Sequence, residues 1–508
     1  MNIFDSLKRA KIHFSNKQAI IFKGAGISYL DLYGQASRLS AALRTRFNLS
    51  RGDRVGIFLP NVPEFIVSYY AITRLGAIAV SLNVMLKRDE VAFILNDCGA
   101  KTLITAPHLL AEVPATVSSM EGIVCVGEPG QPGVVRYEDL LSQPAEQISV
   151  ASLDQHEGAA ILYTSGTTGK PKGVLLTHGN LLSNVYATNH HTTMEPSDRL
   201  ICYLPLFHCF GQNFIMNASV NAGATLVLHE RFVVDEIFES INTNDVSMFF
   251  GVPAIYLRLL GLPDVGATFS SVRYFFTAAA PMAEELARTW QEKFQQPIYE
   301  GYGLTETSPF ASYNHDFRYR AGTVGSPIEN VEMKIVDEIG NDLPPGDVGE
   351  IAIKGPNVMK EYYRRPDETA QAIRDGWFFT GDIGRMDEDG YFYLVDRAKD
   401  MINVSGFKVW PREVEDALIQ HPSLHEAAVV GVPDAVSGEA VKAFVVLKEN
   451  ALVKEYELIE FCRSRIAVYK APHYVEFIDA LPKSLAGKIL RRELRARETA
   501  KNQIEDRR

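Results

Sequence analysis

Residues 163–173 read Tyr163-Thr164-Ser165-Gly166-Thr167-Thr168-Gly169-Lys170-Pro171-Lys172-Gly173, and the interpretation of the chain starts from them. The stretch lies between two apolar runs, residues 159–162 and 174–176, which are typical of strands. Glycines let the backbone approach a polyanion closely, and successive amide groups form a nest that binds anions. Four serine and threonine hydroxyls and two lysines add donors and positive charge. The stretch therefore predicts a phosphate-binding loop between two strands.

The loop differs from two familiar nucleotide-binding motifs. A Walker A motif has a second glycine five residues after its first, and no glycine lies five residues after Gly166 or Gly169. The run Gly-Tyr-Gly at residues 301–303 begins like a dinucleotide fingerprint, but Glu306 stands where the third glycine belongs. The sequence thus predicts phosphate binding without a P-loop or a dinucleotide-binding fold.

The composition is that of a large globular protein. Of 508 residues, 46% are hydrophobic and 22% are charged, which excludes disordered, collagenous and coiled-coil chains. The net charge of −11 (51 basic against 62 acidic residues) gives an overall field that repels nucleic acid. The five cysteines contain no Cys-x-x-Cys pair, which favours a reducing compartment and excludes a zinc knuckle. With no signal peptide, membrane-spanning run or peroxisomal ending, we expect a cytoplasmic protein.

Three patterns follow one another along the chain. In the first, short apolar runs alternate with helical stretches, as at residues 53–61, 62–75 and 76–80, and this alternation predicts a parallel sheet covered by helices. From about Thr323, short strands separated by Gly and Pro turns predict a small antiparallel barrel or meander. After Arg397, mixed helices and strands predict a compact α+β module.

The glycine-rich stretch resembles the signature loop of the AMP-forming adenylating superfamily, which includes acyl-CoA synthetases, peptide-synthetase adenylation domains and luciferases. The resemblance extends over nearly the whole chain and is closest to fatty-acid–CoA ligases. Further segments resemble the family's other motifs in the expected order: residues 53–71 and 75–95 the N-terminal segments, 205–208 the gate motif, 302–307 the acidic metal motif, 376–382 the ribose segment, 396–402 the hinge, and 484–492 the C-terminal lysine motif.

The resemblance implies the fold. A large α/β adenylating domain, residues 1–397, would contain two packed, mainly parallel sheets with helices and a small β-barrel. A small mobile α+β lid domain, residues 398–508, would follow it. The implied reaction is that of an acid–thiol ligase: a carboxylate and ATP give acyl-AMP and pyrophosphate, and CoA then gives acyl-CoA and AMP, with lid rotation between the steps.

The family pattern also assigns the ATP site. Glu306, with Thr164 beside it, would bind Mg²⁺, which takes few protein oxygens and keeps waters and phosphates. Asp382 and Arg397 would hold the ribose, Lys399 would be the hinge, and Lys488 would contact the α-phosphate and the attacking carboxylate. The remaining nucleotide-binding candidates are Ser165, Gly166, Thr167, Thr168, Gly169, Lys172, Ala280, Gly301, Tyr302, Gly303 and Thr305.

The second half-reaction points to residues on both domains. Ser405 and Gly406 would approach the pantetheine chain of CoA after the lid rotates, and Arg231 would lie near the CoA nucleotide. His208 is the candidate gate between the acid and CoA, and we count it with Lys488 and Glu306 as catalytic.

The acid itself is read from the residues around the gate. Phe207, Phe210 and Phe214 predict an apolar pocket suited to an alkyl or aryl tail. No acidic residue occurs between Phe207 and Val220, and Cys209 follows the gate where many amino-acid-activating relatives carry an Asp. We therefore expect a fatty acid of medium or long chain rather than an amino acid.

Several alternatives stay open from sequence. Within the family, the acid could be aryl, of the benzoate or cinnamate type, or the acyl acceptor could be a carrier protein. A luciferase-like oxygenase would need the same adenylation step. A nucleotide-binding protein without catalysis is disfavoured because Glu306, Asp382, Arg397 and Lys488 are all present. A homodimer and a peripheral membrane contact are also left open; nucleic acid is not expected as a partner.

Overall fold

A computed structural model describes residues 2–142, 152–165, 171–262, 265–280, 282–315, 318–405, 407–434, 437–483 and 489–505. Within these ranges, the side chains of Ser165, Val265, Ala267, Lys399 and residues 499–505 are not described.

The first large sheet is parallel through its centre and antiparallel at both edges. Parallel pairing runs through Ile298–Gly303, Tyr274–Thr277, Met248–Gly251, Arg199–Cys202, Thr225–Leu228 and Gln18–Phe22, in that spatial order. The antiparallel strands Phe310–Tyr313 and Ser326–Pro327 extend one edge, and Ala25–Ser28 extends the other. The central strands are buried on both faces, as the continuous apolar runs of the sequence predicted.

The second large sheet carries the phosphate-binding stretch. Its parallel strands, in spatial order, are Gly158–Ser165, Ile78–Ser81, Arg54–Phe58, Ala100–Thr105, Gly122–Cys125 and Val135–Arg136. Pro171–Thr177 pairs antiparallel with Gly158–Ser165, and the short strand Glu361–Tyr362 pairs antiparallel with Pro171–Thr177. The predicted strand–helix–strand unit is confirmed as Arg54–Phe58, Pro63–Arg74 and Ile78–Ser81.

The helices around these sheets begin where the sequence provides caps. Proline opens Pro63–Arg74 and Pro253–Leu260, and Thr177 and Asn180 form a reciprocal capping box for His178–His191. The remaining helices of this part are Ile3–Phe14, Tyr29–Phe47, Arg88–Cys98, Tyr137–Ser142, Ala218–Ala222, Val234–Thr243, Val265–Thr268, Glu284–Phe294 and Pro366–Ala372, with short 3₁₀ turns at Pro107–Glu112 and Thr305–Thr307. Both sheets share one hydrophobic core.

One helix departs from α geometry. Residues Phe210–Asn217 form a π-helix, and all of them are buried. Within it, the Asn217 amide group donates to the side-chain oxygen of Asn213 and bonds to the hydroxyls of Tyr69 and Tyr70 on the buried helix Pro63–Arg74. Such π segments often occur at functional sites.

An antiparallel sheet follows the two large ones, as the turn-rich pattern predicted. It consists of Glu332–Val336, Val348–Lys354, Trp377–Met386, Ile373–Arg374 and Phe392–Arg397. Its buried residues belong to the same core as the two large sheets, so this sheet is part of the large body.

A separate C-terminal domain completes the fold. Its strands are Phe407–Val409, Ile402–Val404, Gly438–Leu447, Leu424–Asp434 and Tyr474–Phe477, and its helices are Pro411–Ile419, Glu455–Arg463 and Arg491–Glu505, with 3₁₀ turns at Ala398–Asp400 and Val468–Lys470. Its hydrophobic clusters contain residues from Ile402 onward and are distinct from the core of the large body. The mixed α/β fold with a separate C-terminal domain is the predicted one.

Candidate active site

The candidate residues of the first sheet lie at one edge. The carboxyl ends of its parallel strands lead to the gate segment around His208, to Arg231, to Ala280 and to Glu306. Because parallel strands end at the same edge, residues far apart in sequence meet there, which is where open α/β sheets bind ligands.

The glycine-rich stretch is predicted to bind phosphate, and its two flanks pair with each other. Thr164 lies opposite Lys172, and Ser165 lies opposite Pro171. Gly166, Thr167, Thr168 and Gly169 lie outside the described residues. Lys172 is paired with Glu368, and its ammonium lies 5.0 Å from the ring centroid of Tyr362.

The acidic motif continues directly from a strand of the first sheet. Ile298–Gly303 ends at two glycines that close contacts require: a Cβ on Gly303 would lie 1.8 Å from the Pro309 carbonyl oxygen, and one on Gly301 would lie 2.5 Å from Cζ of Phe276. The 3₁₀ turn Thr305–Thr307 then places Glu306, whose side chain is buried.

The Glu306 carboxylate accepts a hydrogen bond from a neutral side chain. The Tyr362 hydroxyl donates to Oε1 of Glu306 at 2.9 Å, and the Met359 amide donates to the Glu306 carbonyl at 2.7 Å. Burial raises the pKa of the Glu306 carboxyl above its ordinary value, while the Tyr362 hydrogen bond opposes that shift. None of the described cationic side chains is bonded to this buried carboxylate, which fits Mg²⁺, and the hydroxyl of Thr164 is a second oxygen ligand of suitable chemistry. Within the described residues, no group of three or more His, Cys, Asp and Glu side chains forms a closed metal cage.

The ribose candidates meet across two paired strands. Asp382 lies opposite Arg397, and the Arg397 Nε atom is 2.9 Å from Asp382 Oδ1. The Tyr302 hydroxyl donates to Asp382 Oδ2 at 2.8 Å, and Thr380 accepts the Asp382 amide. Asp382 raises the pKa of Arg397 further, which keeps that guanidinium charged. Tyr302, Asp382 and Arg397 thus form one polar group, although they come from three segments.

The gate segment is fixed by a residue that sequence reasoning missed. Asn61, just beyond the strand Arg54–Phe58, donates to the Leu204 carbonyl at 2.9 Å and accepts the Leu206 amide at 2.8 Å. His208 follows, and its Nδ1 accepts the Phe210 amide at 3.3 Å. Cys209 is buried, and burial raises its thiol pKa, so it is an inert neighbour.

The aromatic candidates differ in position. Phe207 is partly buried, whereas Phe210 and Phe214 are fully buried in a cluster of rings. The Phe214 ring centroid lies 4.6 Å from those of Phe276 and Phe310, and Tyr313 closes the cluster. The π-helix that carries Phe210 and Phe214 has no charged side chain. Among the described residues, this helix and the rings around Phe214 are thus uncharged, although Gln212, Asn213 and Asn217 are buried polar side chains of the helix.

The CoA and hinge candidates are more scattered. Arg231 is exposed near the end of Thr225–Leu228, and Ser405 has a left-handed backbone (φ 51°). Lys399 lies in the 3₁₀ turn Ala398–Asp400, directly after the strand Phe392–Arg397, and Thr305 lies beside Glu306. Gly406 and Lys488 lie outside the described residues.

Sequence reasoning also missed charged contacts around the hinge. Arg491, in the last helix, lies 3.7 Å from Asp396, 3.5 Å from Asp400 and 2.7 Å from Glu415. Asp396 precedes the candidate hinge residue Lys399, whereas the other two follow it. The arginine therefore contacts carboxylates on both sides of Lys399 in the sequence.

Comparison with known proteins places these features in context. The model of the AMP-binding enzyme family matches residues 7–363, and that of the AMP-binding enzyme C-terminal domain matches residues 413–488. A long-chain-fatty-acid–CoA ligase of Bacillus subtilis (strain 168) is 35% identical, with 97% of this chain and 93% of that protein covered. A feruloyl-CoA synthase of Amycolatopsis sp is 34% identical, with 94% and 95% covered.

Solved structures are similar over the whole chain. ATP-bound MatB from Rhodopseudomonas palustris has a TM-score of 0.91 at 33% identity, with 98% of this chain and 99% of that one covered. Apo MatB from the same organism, at the same identity and coverage, has a TM-score of 0.78. The anthranilate CoA ligase AuaEII in complex with anthranoyl-AMP has a TM-score of 0.91 at 29% identity, with 98% and 97% covered. The arrangement of this chain is thus closer to the ATP-bound structure of MatB than to its apo structure.

Proposed function

Because this chain belongs to the AMP-binding enzymes and is an AMP-forming acyl-CoA ligase, we propose that its acid is a medium- or long-chain fatty acid. The observation that carries the proposal is the uncharged aromatic cluster behind His208, which offers no counter-ion to a second charge on the acid. The ligase of Bacillus subtilis, named for long-chain fatty acids, supports it at 35% identity.

The proposed first step joins two anions. The carboxylate oxygen attacks the α-phosphorus of ATP, the new O–P bond forms, and the bond to pyrophosphate breaks. Glu306 and Thr164 would hold Mg²⁺, which supplies charge neutralisation for the phosphates. Asp382, Arg397 and Tyr302 would bind and orient the ribose, and Lys172 would contribute positive charge beside the loop. Lys488 would stabilise the developing charge.

The proposed second step transfers the acyl group. The CoA sulfur attacks the acyl carbonyl carbon after losing its proton, the C–S bond forms, and the bond to AMP breaks. His208 would separate the acid from the incoming thiol, Ser405 and Gly406 would border the pantetheine chain, and Arg231 would meet the CoA nucleotide. We propose the domain boundary at residues 397/398, with rotation about Lys399 between the steps.

An aryl acid is the second candidate. The feruloyl-CoA synthase relative and the anthranoyl-AMP complex of AuaEII are named for aryl acids. The edge-to-face rings around Phe214 would suit an aromatic acid as well as an alkyl chain.

The proposed location rests on the helices and the cysteines. None of the helices in the described part of the chain is long and apolar enough to cross a bilayer. The five cysteines, all within the described ranges, are free and buried, and on this basis we propose a cytoplasmic enzyme.

The decisive experiment is a pyrophosphate-release screen with octanoate, palmitate, benzoate and ferulate, each with and without CoA. Octanoate or palmitate should give the largest kcat/KM, and CoA should be consumed in equal amount to the pyrophosphate released. A preference for benzoate or ferulate would replace the fatty-acid proposal with the aryl one. Turnover without CoA consumption would indicate another acceptor.

A further inference from the structure

A tyrosine outside the assigned motifs contacts two of the candidate ATP-site residues. Tyr362 donates a hydrogen bond from its hydroxyl to Oε1 of Glu306 at 2.9 Å, and the ammonium of Lys172 lies 5.0 Å from the centroid of its ring. Lys172 lies in a strand of the second large sheet, whereas Glu306 lies in the turn that follows a strand of the first, and Tyr362 is 56 residues from Glu306 in sequence.

The backbone around Tyr362 is fixed to both partners. Tyr362 pairs with Val174 in the strand that leaves the glycine-rich loop, and the Tyr363 amide donates to the Gly173 carbonyl at 2.7 Å. On the other side, the Met359 amide donates to the carbonyl of Glu306 at 2.7 Å. One short segment thus connects the strand of Lys172 with the turn of Glu306.

Two physical consequences follow from these contacts. A hydroxyl bonded to one carboxylate oxygen fixes the orientation of the carboxylate and leaves its other oxygen to act as a ligand. The face of an aromatic ring attracts an ammonium, so it restrains the lysine without neutralising its charge. Glu368, by contrast, pairs with Lys172 as a counter-ion that an incoming phosphate would replace.

We propose that Tyr362 is a positioning residue for the metal–phosphate part of the ATP site: its hydroxyl orients Glu306 toward Mg²⁺, and its ring restrains Lys172. The inference rests on the proposed placement of magnesium at Glu306. Tyr362 itself contacts neither the acid nor CoA in this role, so the thioester step should not depend on its hydroxyl.

The test is the affinity for Mn²⁺, measured by electron paramagnetic resonance with ATP present and the carboxylic acid omitted. Tyr362→Phe keeps the ring and loses the hydroxyl, so the Mn²⁺ dissociation constant should rise about tenfold or more, the usual effect of losing such a partner, while metal-free ATP binding stays unchanged. Tyr362→Leu should weaken both the binding of Mn²⁺ and the binding of metal-free ATP. Tyr363→Phe is the matched control, and it should leave both at the wild-type values.

A double-mutant cycle with Glu306→Gln separates positioning from general damage to the fold. If the hydroxyl acts through the carboxylate, Tyr362→Phe should have no further effect on Mn²⁺ affinity in the Glu306→Gln background. Wild-type Mn²⁺ affinity in Tyr362→Phe, with Glu306→Gln weakened, would overturn this inference alone. Wild-type affinity in Glu306→Gln would overturn the magnesium placement and this inference together. Acid-dependent pyrophosphate release by the unmutated enzyme tests the ligase proposal separately.

Discussion

Arg397 lies with its Nε atom 2.9 Å from Oδ1 of Asp382, and the two residues face each other across paired strands. The Tyr302 hydroxyl donates a hydrogen bond to Oδ2, the other carboxylate oxygen of Asp382, and so uses one of its two acceptor positions. Each carboxylate oxygen has two acceptor positions, so Asp382 can still accept hydrogen bonds from two ribose hydroxyls. The arginine and the tyrosine thus hold the carboxylate in place from the protein side.

Asp382→Asn should therefore weaken ATP binding through the sugar. Hydrogen bonds to a charged group contribute about 1.5–3 kcal/mol, so we expect the KM for ATP to rise about tenfold to a hundredfold. The preference for ATP over 2′-deoxy-ATP should shrink at the same time. Initial rates with both nucleotides measure the effect; an unchanged preference would contradict the ribose assignment.

Lys488→Ala should separate the two half-reactions. If the ammonium of Lys488 stabilises only the adenylation transition state, acyl-AMP formation should fall about a hundredfold to a thousandfold, and thioester formation from supplied acyl-AMP should survive. Arg492→Ala, which removes an exposed charge from the last helix, is the control. Equal loss of both half-reactions in Lys488→Ala would point to a folding defect instead.

The hinge assignment predicts a different split. Proline fits the φ of a 3₁₀ turn such as Ala398–Asp400, but it fixes that angle and disfavours helical geometry in the preceding residue. We expect Lys399→Pro to retain near-normal pyrophosphate release and to lose most thioester formation. Rapid-quench measurement of both products checks this, and wild-type thioester turnover would place the hinge elsewhere.

The burial of Glu300 makes stability depend on pH. Burial raises the pKa of its carboxyl to about 8, against the attraction of Arg412 from the C-terminal domain. The folded protein thus keeps a proton that the unfolded chain releases above about pH 4.5, so the free energy of unfolding falls as pH rises toward 8, by up to about 1.4 kcal/mol per pH unit. Glu300→Gln should remove this contribution to the pH dependence of the free energy of unfolding. Urea titrations at pH 5.5 and at pH 8 give that free energy for both proteins. An equal change between the two pH values in variant and wild type would contradict the prediction.

The sequence predicted the elements better than the contacts between them. The helical stretch predicted at residues 62–75 is confirmed as the helix Pro63–Arg74, because the signals for a helix are local in sequence. Tyr362 could not be found in this way, since the strand Glu361–Tyr362 has two residues and no periodic pattern. Asn61 and Arg491 could not be found either, because each bonds to residues that are distant in the sequence.

At the proposed acid site, the sequence predicted some of the aromatic residues but not the cluster that they form. The run of Phe207, Phe210 and Phe214 predicted an apolar pocket, which stays a prediction; the structure buries Phe210 and Phe214 in a packed cluster of rings. What sequence could not supply were Phe276 and Phe310, which come from separate strands and fill the space around Phe214. Ring packing of this kind depends on the sheet order, not on any local motif.

Acid preference should follow the number of methylene groups that enter this apolar region. Each buried methylene contributes about 0.8 kcal/mol, roughly fourfold in kcat/KM. Values should rise from acetate through octanoate and level off at medium or long chain. Small dicarboxylates and amino acids should be poor, because their second charge would be buried without a partner. Pyrophosphate release across the acid series measures this dependence. A maximum at acetate would mean that Phe210 and Phe214 only pack the core, and a preference for benzoate over octanoate would favour the aryl acid while leaving the ligase mechanism intact.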